Sequence, residues 1–402
     1  MARRNGGFVG QDGLDAPDPP TGVAGTASGG QVSVAFTAPS DAGTSAITGF
    51  VVQVSTDDTA YSAGSNTGTS SPIVVSSLTN GTAATAKVWA INAYGTSAPS
   101  DASASFTPFA SLGIVFGGDD ASSATNIIEY FTITTTGNAT DWGDLLATGE
   151  AFTGGGNNIR GICVGGGNNV IQFIVYATEG NATDFGDMAR AVGYTGGTSS
   201  ASNTTRAVFV SHNFGSGLDT LDYITIASAG NGTDFGDMSR NKYQLCGMAS
   251  SAGRGVFAGG RVSSYYDDIE YITIASTGNV TDFGNLSAVR AKLAACSSAT
   301  RGVIAGGIAS GSGAKLNTME YITMGSTGNT TDFGDLATGR INNIAFSSNL
   351  RGCIGGGEGS SAKLDSVEYI TIATTGNAAD FGDLSTVRSQ SGSTSNVHGG
   401  LQ

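Results

Sequence analysis

Apolar and polar residues alternate in short runs along most of the chain, and Gly, Asn, Asp or Pro separates the runs. Between residues 17 and 108 the clearest runs are QVSVAFTAP, ITGFVVQVS, SPIVVSSL and ATAKVWAINAYG. Such alternation is typical of half-buried antiparallel strands. About seven strands in about 90 residues predict a two-sheet sandwich.

A second pattern repeats through the rest of the chain. The motif Thr-Gly-Asn-x-Thr-Asp-aromatic-Gly-Asp-Leu occurs six times with small variations, and its aromatic residue is Trp142, Phe185, Phe235, Phe283, Phe333 or Phe381. Each repeat is about 48 residues long and holds four apolar runs too short for a helix. We therefore expect six four-stranded sheets joined by hairpin turns, the arrangement of a propeller.

The two ends of the repeat region are complementary. The segment LGIVFGG (112–118) opens the first repeat without a small-residue strand before it, whereas SQSGSTSNV (389–397) is such a strand with no repeat after it. Pairing of these two segments would supply the missing strand, close six complete sheets into a ring and leave no sheet edge open.

Residues 17–108 resemble fibronectin type III domains. The resemblance rests on APDPPTGV, VAFTAP, SAITGFVVQV, LTNGT and KVWAINAYGTSAPS, in that order. Phe36 stands where a core Trp is common, and Ala84 stands where a Tyr is common. The resemblance implies a sandwich that acts as a spacer or docking module, with residues 1–16 as an N-terminal docking arm.

Residues 111–402 resemble kelch repeats. A double Gly after the first strand, a Tyr in the next, a Thr-Gly-Asn turn, an aromatic residue, a Leu and an Arg follow the kelch order. The fold class expected for the whole chain is therefore all-β: a fibronectin type III-like sandwich followed by a six-bladed kelch-like propeller that the C-terminal strand closes.

Composition excludes several functional classes. The formal net charge of -14 disfavours nucleic acid or an anionic membrane as a partner, because phosphate groups attract Lys and Arg. Residues 1–10 lack the apolar segment of a secretion signal, and no stretch is long enough to span a membrane. We interpret the four cysteines as buried apolar residues, and we expect no cofactor.

No constellation of residues predicts catalysis or metal binding. His212 and His398 are the two histidines, and they are not clustered with other ligands. The Asp-Phe-Gly-Asp carboxylates occur in nearly every repeat, so we expect them to serve turns and contacts between repeats. Their candidate ion-pair partners are the recurrent Arg-Gly arginines Arg160, Arg206, Arg254, Arg301 and Arg351.

Binding residues are expected in the connections that follow the double Gly, since these differ in length and chemistry between repeats. Among these connections, RVSSYYDD has the most functional side chains. Its aromatic rings could stack on a sugar, and its carboxylates could accept hydrogen bonds from the sugar hydroxyls. The candidate ligand-binding residues are Arg261, Tyr265, Tyr266, Asp267 and Asp268. The alternative is that these are ordinary solvated loop residues.

The N-terminal segment MARRNGGFVGQDGLDAPDPPTGV, the sandwich and the acidic EYITIASTGN-type repeats together resemble virion structural proteins of tailed phages, particularly those of marine bacteria. This resemblance implies a non-enzymatic protein of tail, fibre or capsid that is assembled in the host cytoplasm. Its partners would be other virion proteins, host glycans or receptors, and further copies of itself. An architectural role without a ligand is the alternative, and glycan cleavage is a more distant one.

Overall fold

The structure is a computed structural model that describes residues 15–189, 200–211, 219–249, 253–310 and 313–401. Contacts divide the chain into two compact units, Met1–Ser111 and Leu112–Gln402. Regular structure is almost entirely antiparallel strand, and the described residues contain no α-helix. The expected all-β class is confirmed. Nearly all of the predicted N-terminal arm (1–16) lies outside the described residues.

Seven strands form the first unit. They are β1 Thr21–Ser28, β2 Gln31–Thr37, β3 Ile47–Ser55, β4 Gly64–Gly68, β5 Ile73–Val75, β6 Thr85–Asn92 and β7 Gly95–Thr96. One sheet has the order β1-β2-β5 and the other β4-β3-β6-β7. Alternate residues of β2, β3 and β6 are buried, as the hydrophobic pattern predicts, and they share one core. Phe36 fills its part of that core against Phe50, at 4.8 Å between ring centroids.

A serine ladder completes the edge of β6. Ser97, Ser100 and Ser103 donate backbone N–H groups to carbonyls of β6 at 2.8–3.0 Å, and their hydroxyls accept the N–H groups of Ala90, Val88 and Ala86. The three-residue spacing is not that of a strand, and the segment satisfies the edge without extending the sheet.

The second unit contains the remaining strands. They are β8 Leu112–Asp119, β9 Ala124–Thr132, β10 Thr140–Gly149, β11 Thr153–Gly156, β12 Arg160–Val164, β13 Val170–Val175, β14 Thr178–Asp187, β15 Ser200–Ser202, β16 Arg206–Val210, β17 Thr220–Thr225, β18 Thr233–Asp237, β19 Cys246–Ala249, β20 Arg254–Ala258, β21 Asp268–Thr273, β22 Thr281–Asn285, β23 Arg290–Ala291, β24 Ala294–Ser297, β25 Arg301–Ala305, β26 Ile308–Ala309, β27 Thr318–Thr323, β28 Thr331–Asp335, β29 Ile344–Ser347, β30 Arg351–Gly355, β31 Ser366–Thr371, β32 Ala379–Asp383 and β33 Gly392–Ser395. A 3-10 turn follows at Gly399–Leu401.

These strands form six four-stranded sheets within the described part of the chain. Sheet 1 has the order β10-β9-β8-β33, and sheets 2, 3 and 4 are β11-β12-β13-β14, β15-β16-β17-β18 and β19-β20-β21-β22. Sheet 5 is β24-β25-β27-β28 and sheet 6 is β29-β30-β31-β32, while β23 and β26 form a separate pair. The predicted pairing of the two ends is present, because β33 joins β8 with Gly392 opposite Phe116 and Ser395 opposite Gly113.

One edge strand of each sheet lies beside the corresponding strand of the next sheet. These edge strands, called the first strands below, are β33 in sheet 1 and β11, β15, β19, β24 and β29 in sheets 2 to 6. Ser297 Oγ donates to Ala249 O at 2.7 Å, Ser347 Oγ to Ser297 O at 2.8 Å, and Ser395 Oγ to Ser347 O at 2.6 Å. A Cβ on Gly154 of sheet 2 would lie 2.3 Å from Ser393 O of sheet 1. Small residues are therefore required where these strands approach, and sheet 6 contacts sheet 1 as sheet 5 contacts sheet 6.

The Thr-Gly-Asn turns link the outer strands. The Asn side chain of each turn accepts the backbone N–H of the last Asp or Asn in the preceding sheet, at 3.0–3.1 Å. The pairs are Asp144–Asn181, Asp187–Asn231, Asp237–Asn279, Asn285–Asn329, Asp335–Asn377 and Asp383–Asn138. The last pair joins sheet 6 to sheet 1. The motif therefore repeats because its turn serves the neighbouring sheet.

Buried ion pairs join the connection that leaves one sheet to the third strand of the next sheet. Arg340 pairs with Glu368, Arg388 with Glu129, Arg290 with Glu320 at 3.1 Å, and Lys242 with Glu270 at 2.8 Å. All four cationic side chains are at most 1% exposed. Each cation lies just before the first strand of a sheet, and for Arg388 that strand is β33 of sheet 1. Burial lowers the pKa of Arg388 to about 10, but it remains a cation at neutral pH.

The predicted pairing of the Arg-Gly arginines with Asp-Phe-Gly-Asp carboxylates is wrong. Each of these arginines lies over the aromatic ring of the same sheet, as Arg301 lies 4.3 Å from the Tyr321 centroid. Its Nη1 donates to a main-chain carbonyl of the next sheet, as Arg301 does to Ile372 O at 3.0 Å. The paired Tyr is half-buried and packs edge-on against Phe333 of its own sheet. Cation-π stacking and carbonyl acceptors therefore satisfy these guanidinium groups.

Candidate functional site

The connection between β20 and β21 holds the predicted binding residues. Its backbone is fixed on both sides, because Arg261 and Tyr243 exchange two main-chain hydrogen bonds at 2.9 and 3.0 Å, and Arg290 N donates to Tyr266 O at 3.1 Å. Tyr266 N donates back to Gly260 O at 2.9 Å. The connection is therefore an ordered surface that the segments before β19 and β24 support.

Arg261 is the centre of one half of this surface. Its guanidinium carbon lies 5.6 Å from the ring centroids of both Tyr243 and Tyr265, and its Nε donates to Gln244 Oε1 at 2.8 Å. The arginine therefore holds two tyrosine rings in fixed positions. The sequence did not indicate Tyr243 or Gln244, which precede β19 and are remote from Arg261 along the chain.

Asp268 differs from its predicted role as a loop carboxylate. It is the first residue of β21, and it accepts a hydrogen bond from Lys242 Nζ at 2.8 Å, with Arg240 Nε at 3.7 Å. Arg240 also lies 4.9 Å from the Tyr266 ring centroid. The Asp268 charge is therefore already compensated, because the strand start brings it to the buried Lys242.

Asp267 is the remaining predicted residue, and its carboxylate has no hydrogen-bond or ion-pair partner within the described residues. Its carbonyl accepts Leu286 N at 2.8 Å, which fixes the main chain there. The structure thus forms two stacks of aromatic and guanidinium groups on this connection, one of Arg261 with Tyr243 and Tyr265 and one of Arg240 with Tyr266. Such a surface offers ring edges, hydroxyls and one carboxylate to a ligand.

The other variable connections are described only in part. HNFGSGLDT falls largely on residues 212–218, and IASGSGAKLNT includes residues 311 and 312, both outside the described chain. In EGSSAKLDS, Lys363 pairs with Asp119 of sheet 1 at 2.5 Å. Lys315 similarly approaches Glu358 of sheet 6 at 3.5 Å. Adjacent connections therefore contact one another as well as solvent.

His398 has a place that the sequence did not predict. Its Nε2 lies 3.2 Å from Ser202 Oγ and 3.1 Å from Gly156 O, beside the first strands of sheets 2 and 3. The following Gly399 and Gly400 are buried against the first strands of sheets 3, 4 and 5. Burial lowers the pKa of His398 to about 4, so the ring is neutral at pH 7.

The titratable groups offer little reactive chemistry. All four cysteines are buried free thiols, as predicted, and burial raises the pKa of both Cys246 and Cys296 to about 12. No group of three or more His, Cys, Asp or Glu residues in the described ranges is placed to hold a metal ion. Those ranges likewise contain no helix of the length and hydrophobicity needed to cross a bilayer.

No protein-family model matches the chain, and no curated protein is significantly similar to it.

Proposed function

We propose that the second unit is a six-bladed kelch-like propeller and that the first unit is a fibronectin type III-like sandwich. The observation that supports the propeller most directly is the contact of sheet 6 with sheet 1. That contact uses a Ser-to-carbonyl bond (Ser395), an Asn turn (Asn138) and a buried ion pair (Arg388 with Glu129), the same three contacts that join sheet 5 to sheet 6. Six sheets closed into a ring in this way would leave no sheet edge open.

On this fold, we propose a virion structural protein of a tailed phage that contacts the host surface through the connections after the double Gly. The resemblance of its repeats to such proteins supports the virion, and the ordered cluster around Arg261 supports adhesion. Rigid aromatic and polar groups on a fixed scaffold are suited to recognition, because little entropy is lost on binding. The first unit would dock to the particle.

One observation favours the architectural alternative without a ligand. Arg261 and Arg240 already lie over Tyr265 and Tyr266, and Lys242 already neutralises Asp268. These contacts stabilise the connection by themselves and would persist without a ligand.

Retention of the full chain on envelope fractions of marine bacterial hosts tests adhesion. We expect retention of the native chain and its loss in Tyr265→Ala/Tyr266→Ala. Tyr94→Ala is the control, since Tyr94 is 50% exposed in the first unit and should be neutral. Failure of the native chain to bind any susceptible host would favour the architectural role. A crystal structure with another sheet number, or with sheets 1 and 6 apart, would contradict the propeller.

A further inference from the structure

Lys292 differs from the other lysines of the second unit. Those three pair with carboxylates: Lys242 with Asp268 at 2.8 Å, Lys315 with Glu358 at 3.5 Å, and Lys363 with Asp119 at 2.5 Å. The Lys292 ammonium group has no hydrogen-bond or ion-pair partner among the described residues, although the residue is half-buried. Its Nζ is still in contact with solvent, so a ligand can reach it. An anion supplied by a ligand would compensate this partly desolvated charge.

Main-chain hydrogen bonds place Lys292 in a row of equivalent residues. Gln244, Lys292, Asn342 and Gln390 each stand two positions before a first strand, in sheets 4, 5, 6 and 1. Lys292 N donates to Gln244 O at 2.7 Å, Asn342 N to Lys292 O at 3.1 Å, and Gln390 N to Asn342 O at 3.1 Å. All four residues have positive φ. The turn is therefore common to these sheets, whereas the ammonium group belongs to sheet 5 alone.

The neighbours of Lys292 in this row hold a charged side chain on each side of it. Gln244 Oε1 accepts a hydrogen bond from Arg261 Nε at 2.8 Å. On the other side, Asn342 Nδ2 donates to Glu358 Oε1 at 3.0 Å. The main-chain bonds and these side-chain bonds together fix the positions of both charges relative to the turn that carries Lys292.

The charge around Lys292 is positive, although the chain as a whole has a net charge of -14. Burial is the main cause of the lowered pKa of Lys292, the charges of Arg261 and Lys315 lower it further, and the charge of Glu358 raises it. Lys292, Arg261 and Lys315 thus share one carboxylate, which leaves two positive charges in excess. Acidic residues farther away than the Debye length, about 8 Å at physiological ionic strength, are largely screened.

A ligand would bind on the outer surface of this row. The cavity that the first strands enclose behind it, beginning at Leu293, has a volume of about 60 Å³, well below the ~300 Å³ of small-ligand pockets. On the surface, Arg261 Nη2 is in contact with solvent and donates to none of the described residues. The Tyr265 ring lies beside it, at 5.6 Å from the guanidinium carbon. Two cationic donors and one aromatic ring are therefore available to a ligand.

We propose that Lys292 and Arg261 bind the anionic group, a carboxylate or a phosphate ester, of one charged sugar unit of a glycan. Both cations form charge-assisted hydrogen bonds with such groups, and Tyr265 would stack on the sugar ring. A neutral sugar would leave Lys292 without an anion. The inference rests on the proposed host adhesion for its biological setting, and it names the chemical class of the ligand.

Titration of the full chain with glucuronate, glucose 6-phosphate, glucose and inorganic phosphate, followed by ligand-observed NMR, tests the site. We expect saturable binding of at least one anionic sugar, about tenfold or more tighter than glucose and than inorganic phosphate. The tighter of the two anionic sugars identifies the group as a carboxylate or a phosphate ester. Raising the NaCl concentration from about 0.01 M to about 0.15 M should weaken the binding, because the Debye length falls from about 30 Å to about 8 Å.

Lys292→Gln should weaken binding of the anionic sugar about tenfold or more, because a charge-assisted hydrogen bond is lost. Gln244 and Gln390 show that the turn accommodates a Gln at this position with positive φ. Lys87→Gln in the first unit is the matched control, since it removes the same charge elsewhere on the chain. It should bind as the native chain does.

Glu358→Gln should bind the anionic sugar severalfold more tightly. It removes the carboxylate near Lys292 and keeps an amide oxygen for Asn342 Nδ2, whereas a purely structural role of Glu358 predicts no gain. This variant decides alone if Lys292→Gln fails to fold. The proposal is overturned if no anionic sugar binds, if glucose or inorganic phosphate binds as tightly, if Lys292→Gln binds normally, or if Glu358→Gln brings no gain.

Host retention separates this inference from the proposed function. A native chain that is retained on host envelopes but binds no anionic sugar would keep adhesion and refute the Lys292 site. A chain that binds an anionic sugar, with loss in Lys292→Gln, but is retained on no host would support the site and refute host adhesion.

Discussion

The two units of this chain bury different chemistry. The first unit has one apolar core, and its described buried polar residues are serines and one asparagine. The second unit buries Arg290, Arg340, Arg388 and Lys242, together with the acidic residues that pair with them. Most strands of the second unit have four to six residues, which gives each sheet little apolar area of its own. Specific polar contacts therefore fix each small sheet to the next, whereas two larger sheets can share one core.

One interface of the second unit replaces the ion pair with neutral residues. Gln172 of sheet 2 occupies the ladder position of the glutamates and accepts Leu146 N at 2.7 Å. Gly149 takes the place of the arginine: it precedes Ala151 as Arg290 precedes Lys292, and both following residues have positive φ. Loss of the cation thus accompanies loss of the acid, since an unpaired buried charge is strongly destabilising. The cation and the acid of each buried ion pair therefore act as one structural unit.

The largest expected effect comes from ending the chain after Arg388, which removes β33. β8 would lose β33 as its partner, and sheets 2 and 6 would lose the Ser393 and Ser395 contacts. We expect the unfolding midpoint of the second unit to fall by roughly 10 °C or more, at about 2–4 °C per kcal/mol for a domain of this size. Calorimetry should show an unchanged transition for the first unit. A chain ending after Val397 is the control, and equal melting of all three chains would refute the role of β33.

Removal of one buried cation should have the next largest effect. Arg388→Met leaves the buried Glu129 carboxylate without a cation, so we expect a loss of about 3–5 kcal/mol in the free energy of unfolding. Arg388→Met/Glu129→Gln should recover much of this loss, since Gln172 shows that the position tolerates an amide. Urea denaturation gives both values. The idea of a paired unit fails if the double variant is no more stable than Arg388→Met.

Acid should destabilise the second unit through His398. Its folded pKa is about 4 and its usual value is 6.5, so the unfolded chain binds the extra proton between these values. Stability is therefore lost as pH falls from about 6.5 to 4, with a contribution of about 3 kcal/mol. His398→Gln cannot titrate and should show a flatter pH dependence. Parallel curves for the two proteins in denaturant melts would show that His398 is not responsible.

The smallest expected effect concerns the turn asparagines. Asn377→Ala removes the acceptor of Asp335 N at 3.0 Å in an exposed region, so we expect a loss of about 1 kcal/mol. Asn329→Ala, at the equivalent turn, should cost a similar amount, because the geometry there is the same. Urea melts of the two variants check this, and a neutral result at both sites would remove the turns from the set of stabilising contacts.

Much of the local structure was predictable because strand period and turn residues depend on neighbouring positions. The sequence predicted β2, β3, β5 and β6 of the first unit and the four-stranded repeat of the second. It also predicted the pairing of the two ends, since one extra strand and one missing strand are visible in the repeat. The Arg-Glu pairs were missed, although the joint change to Gly149 and Gln172 is a signal of them.

The candidate site was predictable in composition but not in geometry. Arg261 and Tyr265 do lie together, but Tyr243 and Gln244 join them from a different segment, and Tyr266 stacks on Arg240 of that segment instead. Asp268 is the first residue of β21 and forms an ion pair with the buried Lys242. Which charges are already paired depends on residues far apart in sequence, and a single repeat does not contain that information.

The sequence alone determined the all-β class, the repeat and its period, and the strand that the C-terminal region supplies to β8, because these follow from patterns that recur along the chain. Only the tertiary structure decided which cations are buried against which carboxylates and where His398 lies. The physical reason is that burial and hydrogen-bond saturation are properties of surfaces formed between sheets, and those surfaces exist only after the sheets are assembled.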